Sequence, residues 1–291
     1  MNSIIICNTG ADSLSRITLD NLALEKIIFN LGEKPIGPHG IKTYDDGFIT
    51  TNSYSDSISF FDKDTFKEKK NAKIGPSPND LIIYKKKVYA ICGESNSVVV
   101  YDILEDKTSY EITTGSWPHS IDCYVERGIA FITNFESNDI TVINMEDNSI
   151  LTNIEASEYP TKVLVSKNKE FIYVCESYLG HDKNGFLDII STKTLKSIKR
   201  IEVGSSPMEV IEAEKNIYVS NFTDGTISVI NKSNMMVEES IYVGGMPKGM
   251  IVYENKIYVS DYLKGKVYII EDNKINKVIA IESEPNAMTL F

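Results

Sequence analysis

The chain has 291 residues, 42% of them apolar and 24% charged, which is the balance of a soluble globular protein with material for a large core. Its net charge of −11 disfavours nucleic-acid phosphates and anionic membrane surfaces alike. No stretch reaches the length of a membrane span and the N-terminus carries no positively charged leader, so the expectation is a cytoplasmic protein without membrane insertion.

In chain order, the first strand signal is Ile4-Ile5-Ile6-Cys7-Asn8. Pro38-His39-Gly40-Ile41 then opens a unit that continues with Phe48-Ile49-Thr50-Thr51-Asn52, an alternating segment from Ser57 to Asp62, and a more charged fourth strand. The same order returns from Pro78, Pro118, Pro160, Pro207 and Pro247, and stops one strand after Pro285. Steps between these prolines are 40, 40, 42, 47, 40 and 38 residues, so seven of the nine prolines share one register. Gly75, Gly115, Gly204 and Gly244 each precede a proline by three positions.

Four short strands with tight turns fill about forty residues, which is one propeller blade. The prediction is an all-β, seven-bladed β-propeller of four-stranded antiparallel blades, with residues 1–291 as a single domain. The blades fall at approximately 283–291 plus 2–30, 38–73, 78–113, 118–155, 160–202, 207–242 and 247–281. Because the N-terminal unit lacks a proline strand and the C-terminal unit supplies only one, the last strand is expected to pair with residues 3–8 and close the ring.

The segments Tyr218-Val219-Ser220-Asn221 and Tyr258-Val259-Ser260-Asp261, with the Gly-x-x-Pro step and Thr226-Ile227-Ser228-Val229-Ile230, resemble the YVTN-repeat β-propeller family over the whole chain. That resemblance implies a seven-bladed propeller and leaves function open.

Equivalent positions can be compared across the seven units. Cys7, Cys92 and Cys175 align with Thr51, Thr133, Ser220 and Ser260, a small-residue position that reads as packing. The next position is mostly asparagine, which suits a tight turn, but carries charge at Glu176 and Asp261, making them candidate channel carboxylates. The residue after each proline reads His39, Asn79, His119, Thr161, Met208, Lys248 and Asn286, a polar ring opening the innermost strands near one channel mouth. It suits a small anion, a metal or a polar ligand, and Glu209 stands beside it. The step of 47 residues reflects an insertion at 178–185, where Tyr178, His181 and Asp182 are loop candidates.

No nucleophile elbow, zinc helix, phosphate loop, dinucleotide fingerprint or EF-hand loop is present. The leading expectation is therefore a non-catalytic binding or interaction scaffold recognising a protein partner or small-molecule ligand at a channel mouth. The alternative is an enzyme whose channel-mouth site is assembled from several blades, a lactonase-like hydrolase or a lyase, with or without a metal. No catalytic residue, cofactor or metal is assigned.

Overall fold

The computed structural model describes residues 2–291 and contains seven four-stranded antiparallel sheets arranged as the blades of a propeller. Blade 1 combines Pro285–Leu290, innermost, with Ser3–Asn8, Ser13–Thr18 and Leu24–Ile28. Ile4 lies opposite Leu290 and Ile6 opposite Met288, so the C-terminal strand closes the ring. Blades 2 to 7 begin at the six internal prolines, Pro38 to Pro247, and each runs outward in sequence order. The only helical turns among the described residues are Thr9–Ala11 and Val125–Arg127. Among the described residues no helix is long and apolar enough to cross a membrane.

Burial follows the distance of a strand from the ring axis. The second and third strands are covered on both faces by neighbouring blades, so they are almost continuously apolar, as in Ser97–Asp102. The fourth strands lie where the blades diverge; Lys107–Thr113 buries Ile112 alone. Core clusters therefore bridge blades: Ile82, Ile91 and Val100 of blade 3 pack with Ile121, Ile132 and Ile143 of blade 4.

Two repeat features explain the local sequence. Asn221 donates from Nδ2 to Thr226 (3.0 Å) and Ser228 (2.9 Å), tying the second strand to the third, and Asn8, Asn52 and Asn134 do the same in their blades. The Gly-x-x-Pro glycines before blades 4 and 6 pack on this amide; a Cβ on Gly204 would stand 2.7 Å from Asn221, and one on Gly115 the same distance from Asn134. The small residue before the asparagine serves the next blade: Thr51 Oγ1 donates to the Asn79 carbonyl (3.1 Å) and Ser220 Oγ to the Lys248 carbonyl (3.1 Å).

Candidate site at the proline mouth of the channel

The inner strand of every blade slips register against its neighbour immediately after the proline. In blade 4, Pro118 faces Asn134 and Ser120 faces Thr133, leaving His119 as the extra residue of a β-bulge. A bulge re-aims side chains, so two consecutive residues face the channel where regular pleating allows one. The result is a cavity of about 50 Å³ with an upper ring from the residues after the prolines and a lower ring from the residues after those. That volume holds a few water molecules; a larger molecule has to sit on the mouth with one group inserted.

The upper ring brings together His39, Asn79, His119, Lys248 and Asn286 with Thr161 and Met208. His39 Nδ1 is 2.8 Å from the Asn79 carbonyl and His119 Nδ1 is 2.6 Å from the Thr161 carbonyl. A carbonyl only accepts, so each Nδ1 bears the proton and each Nε2 keeps a free lone pair. Burial, with Lys248 adding repulsion, lowers the imidazoles to about 3 for His39 and about 4 for His119, so both are neutral at physiological pH. Lys248 is lowered to about 8, with burial as the main cause and Glu284 and Glu209 opposing it. No carboxylate among the described residues forms an ion pair with it; its ammonium lies 4.9 Å from the Tyr262 ring centre.

The lower ring holds Asp80, Lys162 and Glu209. Lys162 Nζ is 3.1 Å from Glu209 and 4.0 Å from Asp80. Burial opposes its charge, but the two carboxylates outweigh burial and raise Lys162. Burial raises Glu209, whereas for Asp80 the nearby Lys162 and Lys42 overcome burial and lower it. Sequence alternation does not predict Asp80 and Lys162 in the channel, because it turns the residue after a channel-facing one away. Only the bulge puts both in the channel, and a recurrent proline just before a polar pair is its sequence signal.

Glu176 and Asp261 lie elsewhere. Each is buried at the asparagine position of its own blade. Glu176 pairs with Arg200, whose Nε is 2.9 Å away, and accepts the Ser157 N–H at 2.8 Å. Asp261 accepts from the backbone of Met246 (3.0 Å) and Lys264 (3.1 Å) and from the Tyr268 hydroxyl (2.8 Å). As candidate channel carboxylates both are corrected: they anchor turns, because the charge that replaces asparagine found a local partner. In the loop, Tyr178 is buried beneath Lys183, His181 is 3.5 Å from Glu158 and Asp182 is exposed.

Aromatic side chains surround this mouth on the side of blades 4 to 7. His119, Phe135, Tyr159 and His181 form a consecutive stack with ring centres 5.8, 4.7 and 6.0 Å apart. Trp117 lies over Gly93, where the missing side chain leaves room for the indole. Phe222 meets Tyr262 across the blade 6–7 boundary at 5.9 Å. A wider open groove of about 690 Å³ lies at the turns of the opposite face, around Lys215, Glu254 and Asp272. Its charges alternate and do not converge on a point.

No family model matches the chain, and a search of curated proteins gives no match. Solved structures do match. Kuenenia stuttgartiensis hydrazine synthase is 18% identical with a TM-score of 0.80, covering 89% of this chain and 90% of its own. Staphylococcus aureus virginiamycin B lyase is 17% identical at 0.74, with 89% and 90% covered. A Bacteroides uniformis protein assigned provisionally as a 6-phosphogluconolactonase is 13% identical at 0.78, with 100% and 99% covered. At such identities the likeness shows the seven-bladed propeller alone and leaves the YVTN resemblance without a family match. It nevertheless corrects the expectation of a non-catalytic scaffold. That expectation rested on missing local motifs, and propellers of this build carry enzymes.

Proposed function

We propose that the protein is an enzyme that opens a small lactone or ester at the proline mouth, with Lys248 as general base. The observation that carries this reading is the convergence, at one cavity, of an amine without a carboxylate partner and two neutral imidazoles with free Nε2 lone pairs. An amine lowered to about 8 has a useful neutral fraction near physiological pH, unlike an ordinary lysine. Neutral Lys248 takes a proton from water as the water oxygen attacks the acyl carbon. The acyl–oxygen bond breaks, and the departing alkoxide recovers the proton from the ammonium. His39 and His119 accept hydrogen bonds from the attacking water or from a substrate hydroxyl and orient it. The lower ring closes the floor beneath them. The provisional lactonase name of one similar propeller supports chemistry of this class.

The test is a panel of lactones and esters assayed across pH. Turnover is expected to rise as pH passes about 8, where Lys248 loses its proton. Lys248→Met is expected to lower kcat by about 100-fold or more, whereas His39→Gln with His119→Gln acts mainly on KM. Absence of turnover across the panel, or full activity in Lys248→Met, ends the reading.

A further inference from the structure

Comparison of equivalent positions identifies side chains that the fold itself does not demand. The residue before the proline has a left-handed backbone at Gly37, Ser77, Ser206 and Glu284, with φ between 51° and 61°. Small or polar residues serve there. In blades 4 and 5 the same position holds Trp117 (φ 55°) and Tyr159 (φ 58°). Bulky side chains are disfavoured in that region, and both are only half-buried, so core packing does not account for them. The residue after the asparagine position tells the same story. It is Thr9, Ser53, Glu94 and Ser177 in blades 1, 2, 3 and 5, but Phe135, Phe222 and Tyr262 in blades 4, 6 and 7. Part-exposed aromatic surface gathered beside a polar cavity, with Phe135 next to His119 and Tyr159 next to Phe135, points to a ligand with an apolar face.

Charge narrows the ligand. The cavity is lined by two lysines and two carboxylates, and one lysine, Lys162, is held by both carboxylates. Among the described residues that line the cavity, Lys248 is left as the single available cation. A phosphate dianion needs several charged donors, and this floor does not supply them.

We infer that the substrate carries an apolar planar ring and no phosphate, the ring lying against the wall of Trp117, Phe135 and Tyr159 while its carbonyl group reaches the floor at Lys248. The inference deepens the proposed hydrolysis and rests on it for the placement of the carbonyl. It also separates this protein from a 6-phosphogluconolactonase, whose substrate is phosphorylated.

Trp117 is the sole tryptophan, so its fluorescence reports binding at this mouth without a label. Titration with dihydrocoumarin, an uncharged aryl lactone, is expected to change the emission saturably, and 6-phosphogluconate to leave it unchanged. Replacing Phe135 and Tyr159 with serine, the residue at the equivalent positions 53 and 206, is expected to weaken dihydrocoumarin binding about tenfold. Circular dichroism melting checks that the double variant folds, and Tyr159→Ser alone gives the same reading with less change to the wall. Saturable binding of 6-phosphogluconate but not dihydrocoumarin, or unchanged affinity in the serine variants, overturns the inference. Binding without turnover sinks the hydrolase reading and leaves this one standing; turnover of lactones with no preference for an aryl ring does the reverse.

Discussion

Blades 5 and 6 share one plan and satisfy it with different chemistry. In blade 6, Asn221 binds Thr226 and Ser228, and Ser240 stands opposite Ser228 on the outer strand. In blade 5 the corresponding residues are Glu176, Asp188 and Arg200, and the turn between strands is lengthened to residues 178–185. Glu176 and Arg200 form an ion pair, Asp188 accepts from Ser197 (2.5 Å), and Arg200 also reaches the Tyr178 hydroxyl (3.3 Å). Neutral hydrogen bonds and a charged cluster thus fill the same space between strands. A departure from the repeat consensus is therefore not in itself a functional site; it becomes one only where no neighbour compensates it.

Moving blade 6 residues into blade 5 tests that comparison. The largest effect is expected from Arg200→Ser, which strips the partner from a carboxylate that is 1% exposed. Arg200 is itself 38% exposed, so the loss falls below that of a fully buried pair, about 2–4 kcal/mol. Melting should drop by roughly 5–10 °C. Completing the exchange with Glu176→Asn and Asp188→Ser should recover most of that loss, since the three residues act as one unit. A triple variant no more stable than Arg200→Ser alone would mean that the two blades are not interchangeable at this point. Asn221→Ala in blade 6 comes next, at about 1–2 kcal/mol for two buried hydrogen bonds, read by chemical denaturation.

Asp188→Ser alone should depend on pH. Burial raises the Asp188 carboxyl above its ordinary value, with Glu176 adding repulsion and Ser197 and Arg200 opposing. The folded protein then holds more protons than the unfolded chain between those two values, so stability falls as pH rises through that window. At neutral pH the cost is fully present. Asp188→Ser is expected to be modestly stabilising there and to lose its advantage below the ordinary carboxylate range. Denaturation curves at both pH values give the comparison, and an equal effect at the two would remove the charge explanation.

The ring of seven blades was legible because proline, glycine and asparagine recur for reasons local to each unit: a bulge, a close approach and a strand tie. The upper ring of the site was legible for the same reason, since His39, His119 and Lys248 share one position after the proline. Asp80 and Lys162 were not, because alternation assigns them to the other side and only the observed register slip corrects it. Glu176 was misplaced because its partner, Arg200, lies 24 residues away on the outer strand, and nothing in a linear pattern joins them. The aromatic wall is spread over separate turns; each member looks like an ordinary surface aromatic until the blades are superposed.

The smallest stability effect is expected where the functional effect is large. Tyr159 precedes blade 5 at the position that Ser206 occupies before blade 6, and both have left-handed backbones, φ 58° and 56°. Tyr159→Ser keeps a Cβ, so it keeps the left-handed backbone cost that Ser206 also carries. What it removes is the stack on Phe135, with ring centres 4.7 Å apart, worth about 1 kcal/mol. Denaturation should therefore show a loss of no more than about 1 kcal/mol. Arg200→Ser behaves in the opposite manner: it lies outside the mouth and should cost stability while leaving ligand affinity intact. If Tyr159→Ser instead destabilised the fold as strongly as Arg200→Ser, the tyrosine would be a packing residue, and the contrast between a compensated blade and a functional rim would collapse.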